Sequence, residues 1–248
     1  MKYKLKIKSI NNSAKTLFEF FKLDENKNTF LFNYFSVNLE EYKALSDKNK
    51  FGLVLAKVKS LYVEYKDFFA KKYDEIDLIL KQNFQIMERA LSSIFDVKID
   101  KTFKMEIGVC PICPRYLQSY SFDVCAFEEN GYILQTIAHE LIHFYWFLKL
   151  KQMGYRLSKA EKETPSLTWL ISEIVVDAIF KNTDLKVFLF NNKPAYNIFY
   201  KQKINNVGLI ELFDSQYKTA KSIEDFIKFT MNFIGENKEQ LNKIVKKM

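Results

Sequence analysis

The sequence predicts an α+β fold in which helices predominate. Hydrophobic residues make up 48% of the 248 residues, and only six glycines and four prolines interrupt them, which is typical of a compact, helix-rich chain. Apolar residues recur at helical spacing over long stretches and alternate with polar residues only in a few short ones. We expect a single domain over residues 1–248, with a helix-rich part at 1–100, a core at 101–182 and a helical part at 183–248.

The N-terminal part is predicted to contain strands at its beginning and helices after them. Residues 1–9 alternate between polar and apolar and predict a strand, and residues 30–37 favour a strand over a buried helix. A helix beginning near Asn12 and a polar turn at residues 24–28 are expected between them. Residues 39–95 have apolar positions at helical spacing, so we expect helices that carry no chemistry.

Two further strands are predicted around a turn that contains cysteines. Residues 103–110 and 119–127 have strand patterns, and the prolines between them suggest a hairpin-like connection. Cys110, Cys113 and Cys125 are an odd number and do not make a disulfide framework. A structural zinc site needs four ligands. Small buried or turn cysteines are therefore preferred over a second metal site or a redox function.

One motif in the predicted core points to metal chemistry. His139 and His143 are the only histidines, and they stand in the pattern H-E-x-x-H. Side chains four apart lie on one face of a helix, so both imidazoles can reach a single Zn²⁺. Glu140 lies near enough to take a proton from a zinc-activated water. We expect this helix to span about residues 130–152.

A catalytic zinc site usually has three protein ligands, so a third donor is required. No third histidine exists, which leaves a carboxylate or a thiolate. Glu173 is the best candidate because it lies with Asp177 in an apolar helix, which Thr164 as N-cap and Pro165 as first helical residue should begin. Two acids in such a helix are costly to bury unless they are paired or metal-bound. We expect Glu173 to bind zinc and Asp177 to accept the second N–H of a ligand histidine.

The pattern H-E-x-x-H, followed at a distance by a helical E-x-x-x-D, resembles the gluzincin, or thermolysin-like, zinc metallopeptidases. The resemblance covers about a third of the chain. It implies a zincin-like core, with a small β-sheet packed on the active-site helix and extra helices around it. It also implies that His139, His143 and Glu173 bind Zn²⁺, that Glu140 is the general base and that Asp177 orients a histidine. A peptide or protein substrate would add as a strand to a free edge, which the strand just before the motif should provide.

Such a mechanism also needs a donor for the oxyanion of the tetrahedral intermediate. Thermolysin-like enzymes use a histidine or a tyrosine, and this chain has no spare histidine. Tyr196, Tyr200 and Arg115 are the candidates.

The last part of the chain is predicted to be helical. We expect helical segments at about residues 183–190, 194–204, 207–218, 222–233 and 236–247. Ser222 together with Asp225 has the pattern of a capped helix start.

The composition of the chain indicates which partners and which cellular location to expect. The net charge of +8 comes from scattered lysines with very few arginines, so nucleic acid is not an expected partner. The chain has no apolar stretch of membrane-spanning length and no signal-peptide pattern at its start, so we expect no membrane partner and a cytoplasmic location. The oligomeric state is left open.

Zinc-dependent peptide hydrolysis is the expected function, and two alternatives stand beside it. One is a zinc hydrolase that cleaves the amide of a non-peptide substrate with the same atoms. The other is a non-catalytic zinc-binding or regulatory protein that keeps the gluzincin fold. Glu140 argues against the second alternative, because binding zinc does not by itself require that residue.

Overall fold

The computed structural model describes residues 2–24 and 30–248, and it confirms the α+β class with helices predominating. The helices in this part of the chain are α1 (Ile10–Asp24), α2 (Phe30–Tyr34), α3 (Leu39–Lys43), α4 (Asp47–Glu64), α5 (Lys66–Phe95), α6 (Asn130–Gln152), α7 (Leu167–Asn182), α8 (Leu209–Thr219), α9 (Ile223–Glu236) and α10 (Lys238–Val245). The strands are β1 (Lys2–Ile7), β2 (Thr102–Gly108), β3 (Arg115–Tyr116), β4 (Ser121–Cys125), β5 (Lys203–Ile204) and β6 (Val207–Gly208). The polar turn expected at residues 24–28 lies outside the described residues, except for Asp24, which ends α1.

The chain divides into two compact units. The sheet unit comprises the described residues of 2–80 and 102–130, and the helical unit comprises residues 81–101 and 131–248. The single domain over residues 1–248 stays a prediction.

The sheet unit is built around a four-stranded sheet in the order β1-β2-β4-β3. β1, β2 and β4 are mutually parallel, and β3 runs antiparallel to β4. The hairpin predicted between β2 and β4 is therefore wrong. Residues 109–120 are long enough to return the chain to the start of the sheet, as a parallel pair requires, and the turn with its prolines leads into β3 instead.

The strand before the H-E-x-x-H helix does not have the free edge that was expected. Ser121 and Phe122 of β4 pair with Tyr116 and Arg115 of β3, and the N–H of Asp123 donates to the carbonyl of Pro114. Since β2 covers the opposite edge, β4 is an internal strand over this part of its length.

The segment after residue 30 forms a helix, so the strand predicted at 30–37 is wrong. Leu31, Phe32 and Phe35 are buried, and this spacing matches one face of a helical turn. The ring of Phe32 packs 4.6 Å from Phe21 of α1 and 5.0 Å from Tyr42 of α3. Packing against aromatic rings of α1 and α3 thus decides between helix and strand, a choice that the local sequence pattern leaves open.

A buried ion pair lies inside the sheet unit. The ammonium group of Lys8, just after β1, lies 2.5 Å from the carboxylate of Asp123 on β4, and both residues are almost fully buried. Lys8 also donates to Thr16 on α1 at 2.8 Å. Burial raises the pKa of Asp123 to about 6, although the charge of Lys8 lowers it. Lys8 therefore joins the end of β1 to β4 by an ion pair that solvent hardly reaches, and to α1 by a hydrogen bond.

Helix α6 forms where the sequence predicts it, from Asn130 to Gln152, and its residues from 131 onward belong to the helical unit. Gly154 follows with a φ of +91°, a left-handed conformation that suits glycine and stops the helix. None of the helices in the described residues is long and apolar enough to cross a membrane.

Helix α7 begins later than predicted. Its N-cap is Ser166, whose hydroxyl accepts from the N–H of Trp169 at 3.0 Å. Thr164 and Pro165 precede the cap and are joined by a cis peptide bond, so neither has the predicted role.

The chain after α7 is less helical than predicted. Residues 183–190 contain only a 3-10 turn at Asp184–Phe188. Residues 194–204 contain a second such turn, Phe199–Lys201, followed by a two-stranded ribbon of β5 and β6. Asn205 and Asn206 form its turn with positive φ angles, as two-residue hairpins require. The three C-terminal helices were predicted, and the Ser222 hydroxyl caps α9 by accepting from the N–H of Asp225 at 3.2 Å.

We predict that replacing Lys8 by Met at pH 7 destabilises the protein by about 3–5 kcal/mol, because it leaves the Asp123 carboxylate buried without its counter-ion. The measurement is the free energy of unfolding in urea. Lys6→Met is the matched control: Lys6 also pairs with a carboxylate, Glu106 at 2.7 Å, but its side chain is 51% exposed. The control should cost no more than about 1 kcal/mol. Equal losses in the two variants would contradict the structural importance of the buried pair.

We also predict a pH effect from Asp123. Its pKa lies near 6 in the folded protein against an ordinary 3.8, so between these values the folded state holds a proton that the unfolded state has lost. Stability relative to Asp123→Asn should therefore fall as pH rises from about 4 to about 6, by at most about 3 kcal/mol. Urea unfolding across this range measures the difference. The control Asp67→Asn, at an exposed position, should leave the dependence of the unfolding free energy on pH as it is in the parent. If the parent and Asp123→Asn gave parallel curves of unfolding free energy against pH, the effect would be ruled out.

Candidate metal centre

Helix α6 presents both histidines on one face. His139 and His143 are one helical turn apart, and their Nε2 atoms lie 3.0 Å from each other. Ile137, Leu141 and Ile142, on the other sides of the same turn, are completely buried. Apolar packing thus fixes the helix, and the two imidazoles converge.

Helix α7 supplies the carboxylate that completes the group. An oxygen of Glu173 lies 3.2 Å from Nε2 of His139 and 3.4 Å from Nε2 of His143. Among the described residues, these three form the one group of His, Cys, Asp or Glu side chains that has the arrangement of a metal site. The structure therefore brings together the three ligands that the sequence predicts.

The spacing of the three donor atoms fits a small tetrahedral ion. Zinc binds imidazole nitrogen and carboxylate oxygen at about 2.0–2.2 Å, so two ligands at a tetrahedral angle lie about 3.3–3.6 Å apart. The three separations here are 3.0, 3.2 and 3.4 Å, one of them within this range and two slightly below it. Two imidazoles with one carboxylate are a donor set of catalytic zinc sites, and other divalent transition metals also accept it.

The hydrogen bond at the far side of His139 fixes which ring nitrogen carries the proton when the imidazole is neutral. Nδ1 lies 3.1 Å from the carbonyl oxygen of Pro194, and because a carbonyl only accepts, Nδ1 must carry a proton. In the neutral ring, Nε2 then carries a lone pair, and it faces an oxygen of Glu173 that also carries lone pairs. Two acceptors at this distance repel each other unless a proton or a metal ion lies between them.

Glu140 borders this group. Its carboxylate lies 4.0 Å from Nε2 of His139 and is itself largely buried. His143 and Glu173 are inaccessible to solvent, whereas the side chain of His139 is 15% exposed. Of the three residues, His139 is therefore the one whose side chain solvent reaches.

Asp177 contacts a tyrosine and a lysine. One carboxylate oxygen accepts a short hydrogen bond from the hydroxyl of Tyr200, and the other lies 2.8 Å from the ammonium of Lys181. Burial, together with the bond to Asp177, raises the pKa of Tyr200 above its ordinary value of 10, so the tyrosine stays protonated. For His139, the orienting acceptor is the carbonyl of Pro194, and a direct contact between Asp177 and a histidine stays a prediction.

The three candidates for the oxyanion donor lie in different surroundings. Tyr200 directs its only hydroxyl proton to Asp177, so this structure does not present it as a donor to substrate. Tyr196 is 46% exposed, with its ring 6.5 Å from that of Trp169. Arg115 lies in β3 of the sheet unit. The role of oxyanion donor stays a prediction for Tyr196 and Arg115.

None of the three cysteines is in a disulfide, as expected for small buried or turn cysteines. Cys110 and Cys125 are buried and Cys113 is half-buried. Burial raises the pKa of Cys110 to about 12 and that of Cys125 to about 11, which keeps both as neutral thiols. A neutral thiol is a poor metal ligand and a poor nucleophile.

Two groups near the metal centre were not predicted. One is the carbonyl of Pro194, since a backbone atom has no signature in residue type. The other is Gln135, four residues before His139, whose buried side-chain oxygen accepts from the N–H groups of Phe190 and Asn191 at 2.8 and 3.1 Å. The sequence could have indicated Gln135, because it is a glutamine in an apolar helix and lies on the same face as the histidines.

Comparison with protein-family models, curated proteins and solved structures finds no match to this chain. The likeness to gluzincins therefore rests on the residues of the two motifs.

We predict that the protein binds one zinc per chain, and that Glu173→Gln and His143→Ala each weaken binding by more than about 100-fold, because losing a ligand costs more than losing an outer-shell contact. Elemental analysis and competition with a chelating dye measure this. Glu236→Gln, on the exposed last turn of α9, is the control and should bind zinc like the parent. Full zinc content in both ligand variants would exclude this centre.

Proposed function

We propose that this protein is a zinc-dependent metallopeptidase of gluzincin type, with a zincin-like core. The observation that carries the proposal is the convergence of His139, His143 and Glu173 within 3.4 Å, with the buried carboxylate of Glu140 beside them. A purely structural polar cluster needs no second acid at that point. An acid next to the one solvent-reached side of the donor set is what hydrolysis requires.

His139, His143 and Glu173 are the residues that would hold the ion. When bound, Zn²⁺ polarises a carbonyl group and makes water more acidic at neutral pH. The contribution of the protein is the donor set, which is preorganised because apolar packing on α6 and α7 leaves the side chains little freedom.

Glu140 would act as general base and then as general acid. Its carboxylate accepts a proton from the attacking water and passes it to the nitrogen of the leaving amine. Peptides or proteins are the proposed substrates, as the resemblance implies.

The two alternatives differ in measurable ways. A hydrolase of a non-peptide amide would need the same Glu140 but would leave peptides intact. A non-catalytic zinc-binding protein would bind the metal and tolerate the loss of Glu140 without any change in its binding function.

We predict that Glu140→Gln abolishes hydrolysis while zinc content stays at the level of the parent, because the amide cannot take the proton from water and Glu140 is not one of the three donors. The assay incubates zinc-loaded protein with a mixture of unstructured peptides and identifies products by mass spectrometry. Glu236→Gln serves again as the control and should cleave at the rate of the parent.

Three outcomes count against the mechanism. Full activity in Glu140→Gln excludes Glu140 as the base. A parent that binds zinc but cleaves small amides and no peptide supports the non-peptide hydrolase. A parent that binds zinc and cleaves neither supports the non-catalytic protein.

A further inference from the structure

The peptide group between Pro194 and Ala195 is hydrogen-bonded on both sides. Its carbonyl accepts from Nδ1–H of His139 at 3.1 Å, and its N–H donates to the hydroxyl oxygen of Tyr200 at 3.4 Å. A trans peptide group is planar and rigid, with C=O and N–H pointing in opposite directions. Holding one side of this group therefore fixes the direction of the other, so Tyr200 and His139 are coupled through a single rigid unit.

Tyr200 is in turn fixed by Asp177. Its hydroxyl donates to one carboxylate oxygen of Asp177, which is 1% exposed and also lies beside Lys181. The ammonium groups of Lys181 and Lys193 lie 5.3 and 5.6 Å from the centre of the tyrosine ring. Cations at this distance from an aromatic ring are attracted to it and help to hold it. The tyrosine is thereby restrained at both its ring and its hydroxyl.

The direction of donation is the same along the whole chain of bonds. His139 donates to the Pro194 carbonyl, the Ala195 N–H donates to Tyr200, and Tyr200 donates to Asp177. Hydrogen bonds that run in one direction polarise one another, so negative charge at the end strengthens each of them. The charge of Asp177 thus acts at His139 without any direct contact.

We propose that Asp177 positions the metal-binding His139 through a relay formed by Tyr200 and the Pro194–Ala195 peptide group. The relay fixes the tautomer in which Nε2 of His139 carries the lone pair that binds a metal, and it makes that nitrogen a better donor, as outer carboxylates do for ligand histidines. Asp177 and Tyr200 are positioning residues in this arrangement. The inference rests on the metal site of the proposed function, but it does not depend on which reaction follows.

The test uses Zn²⁺ and Co²⁺ alone as probes of the full-length protein. Tyr200→Phe removes the central hydroxyl and should weaken Zn²⁺ binding by about 10–100-fold, the usual cost of losing an outer contact to a ligand. The visible absorption of the Co²⁺ form should also change, because the orientation of one ligand ring is released. Tyr217→Phe is the matched control, since it removes the hydroxyl of another half-buried tyrosine, which packs on Phe226. It should leave affinity and spectrum unchanged.

A double variant distinguishes the relay from a direct contact. If Asp177 acts through Tyr200, then Asp177→Asn should weaken metal binding in the parent and add little in the Tyr200→Phe background. A loss of the same size in both backgrounds would overturn the relay, because Asp177 would then act on a histidine by itself. Thermal unfolding of each variant shows that the chain is folded when the metal is added.

The outcomes separate this inference from the proposed function. A parent that binds no metal overturns both. A parent that binds one Zn²⁺, with Tyr200→Phe equal to Tyr217→Phe in affinity and Co²⁺ spectrum, overturns the relay and leaves the metal site in place.

Discussion

Three possible metal-donor atoms of His139, His143 and Glu173 lie within 3.4 Å of one another, and the candidate metal centre of the helical unit depends on this convergence. Such atoms repel each other in a low-dielectric interior unless a cation is shared among them. Apolar packing on α6 and α7 holds the histidines and Glu173 in place against that repulsion. The three side chains are thus held in a fixed arrangement, as a preorganised metal centre would require.

Buried carboxylates have different partners in the two units. In the sheet unit, Asp123 meets the ammonium group of Lys8 directly, so opposite charges are already paired. In the helical unit, Asp177 meets Lys181, but the oxygen of Glu173 faces imidazole nitrogens. A carboxylate that faces a fixed ammonium group stabilises the fold, whereas one that faces two imidazoles can also share a metal ion with them. This contrast supports a ligand-binding purpose for the second arrangement.

The irregular segment after α7 contributes to the centre through its backbone. It is fastened to α6 by Gln135 and His139, and to α7 through Tyr200 and Asp177. Side chains thereby satisfy backbone groups that a helix or sheet would otherwise satisfy. Because the segment is anchored on both helices, the distance between α6 and α7 and the orientation of His139 are set together.

The amino-acid sequence by itself determined the class of fold, the extent of α6 and the shared face of His139 and His143, because helical periodicity and residue type are local properties. Glu173 was predicted from its residue type, but only the fold brings it from α7 to the two histidines. Tertiary structure alone decided the parallel pairing of β2 with β4, the helix at Phe30–Tyr34 and the loss of helix over residues 194–204. These depend on partners distant in sequence, whose burial outweighs local preference. The carbonyl of Pro194 belongs to the same class, since every residue has such a group and only the fold places this one at His139.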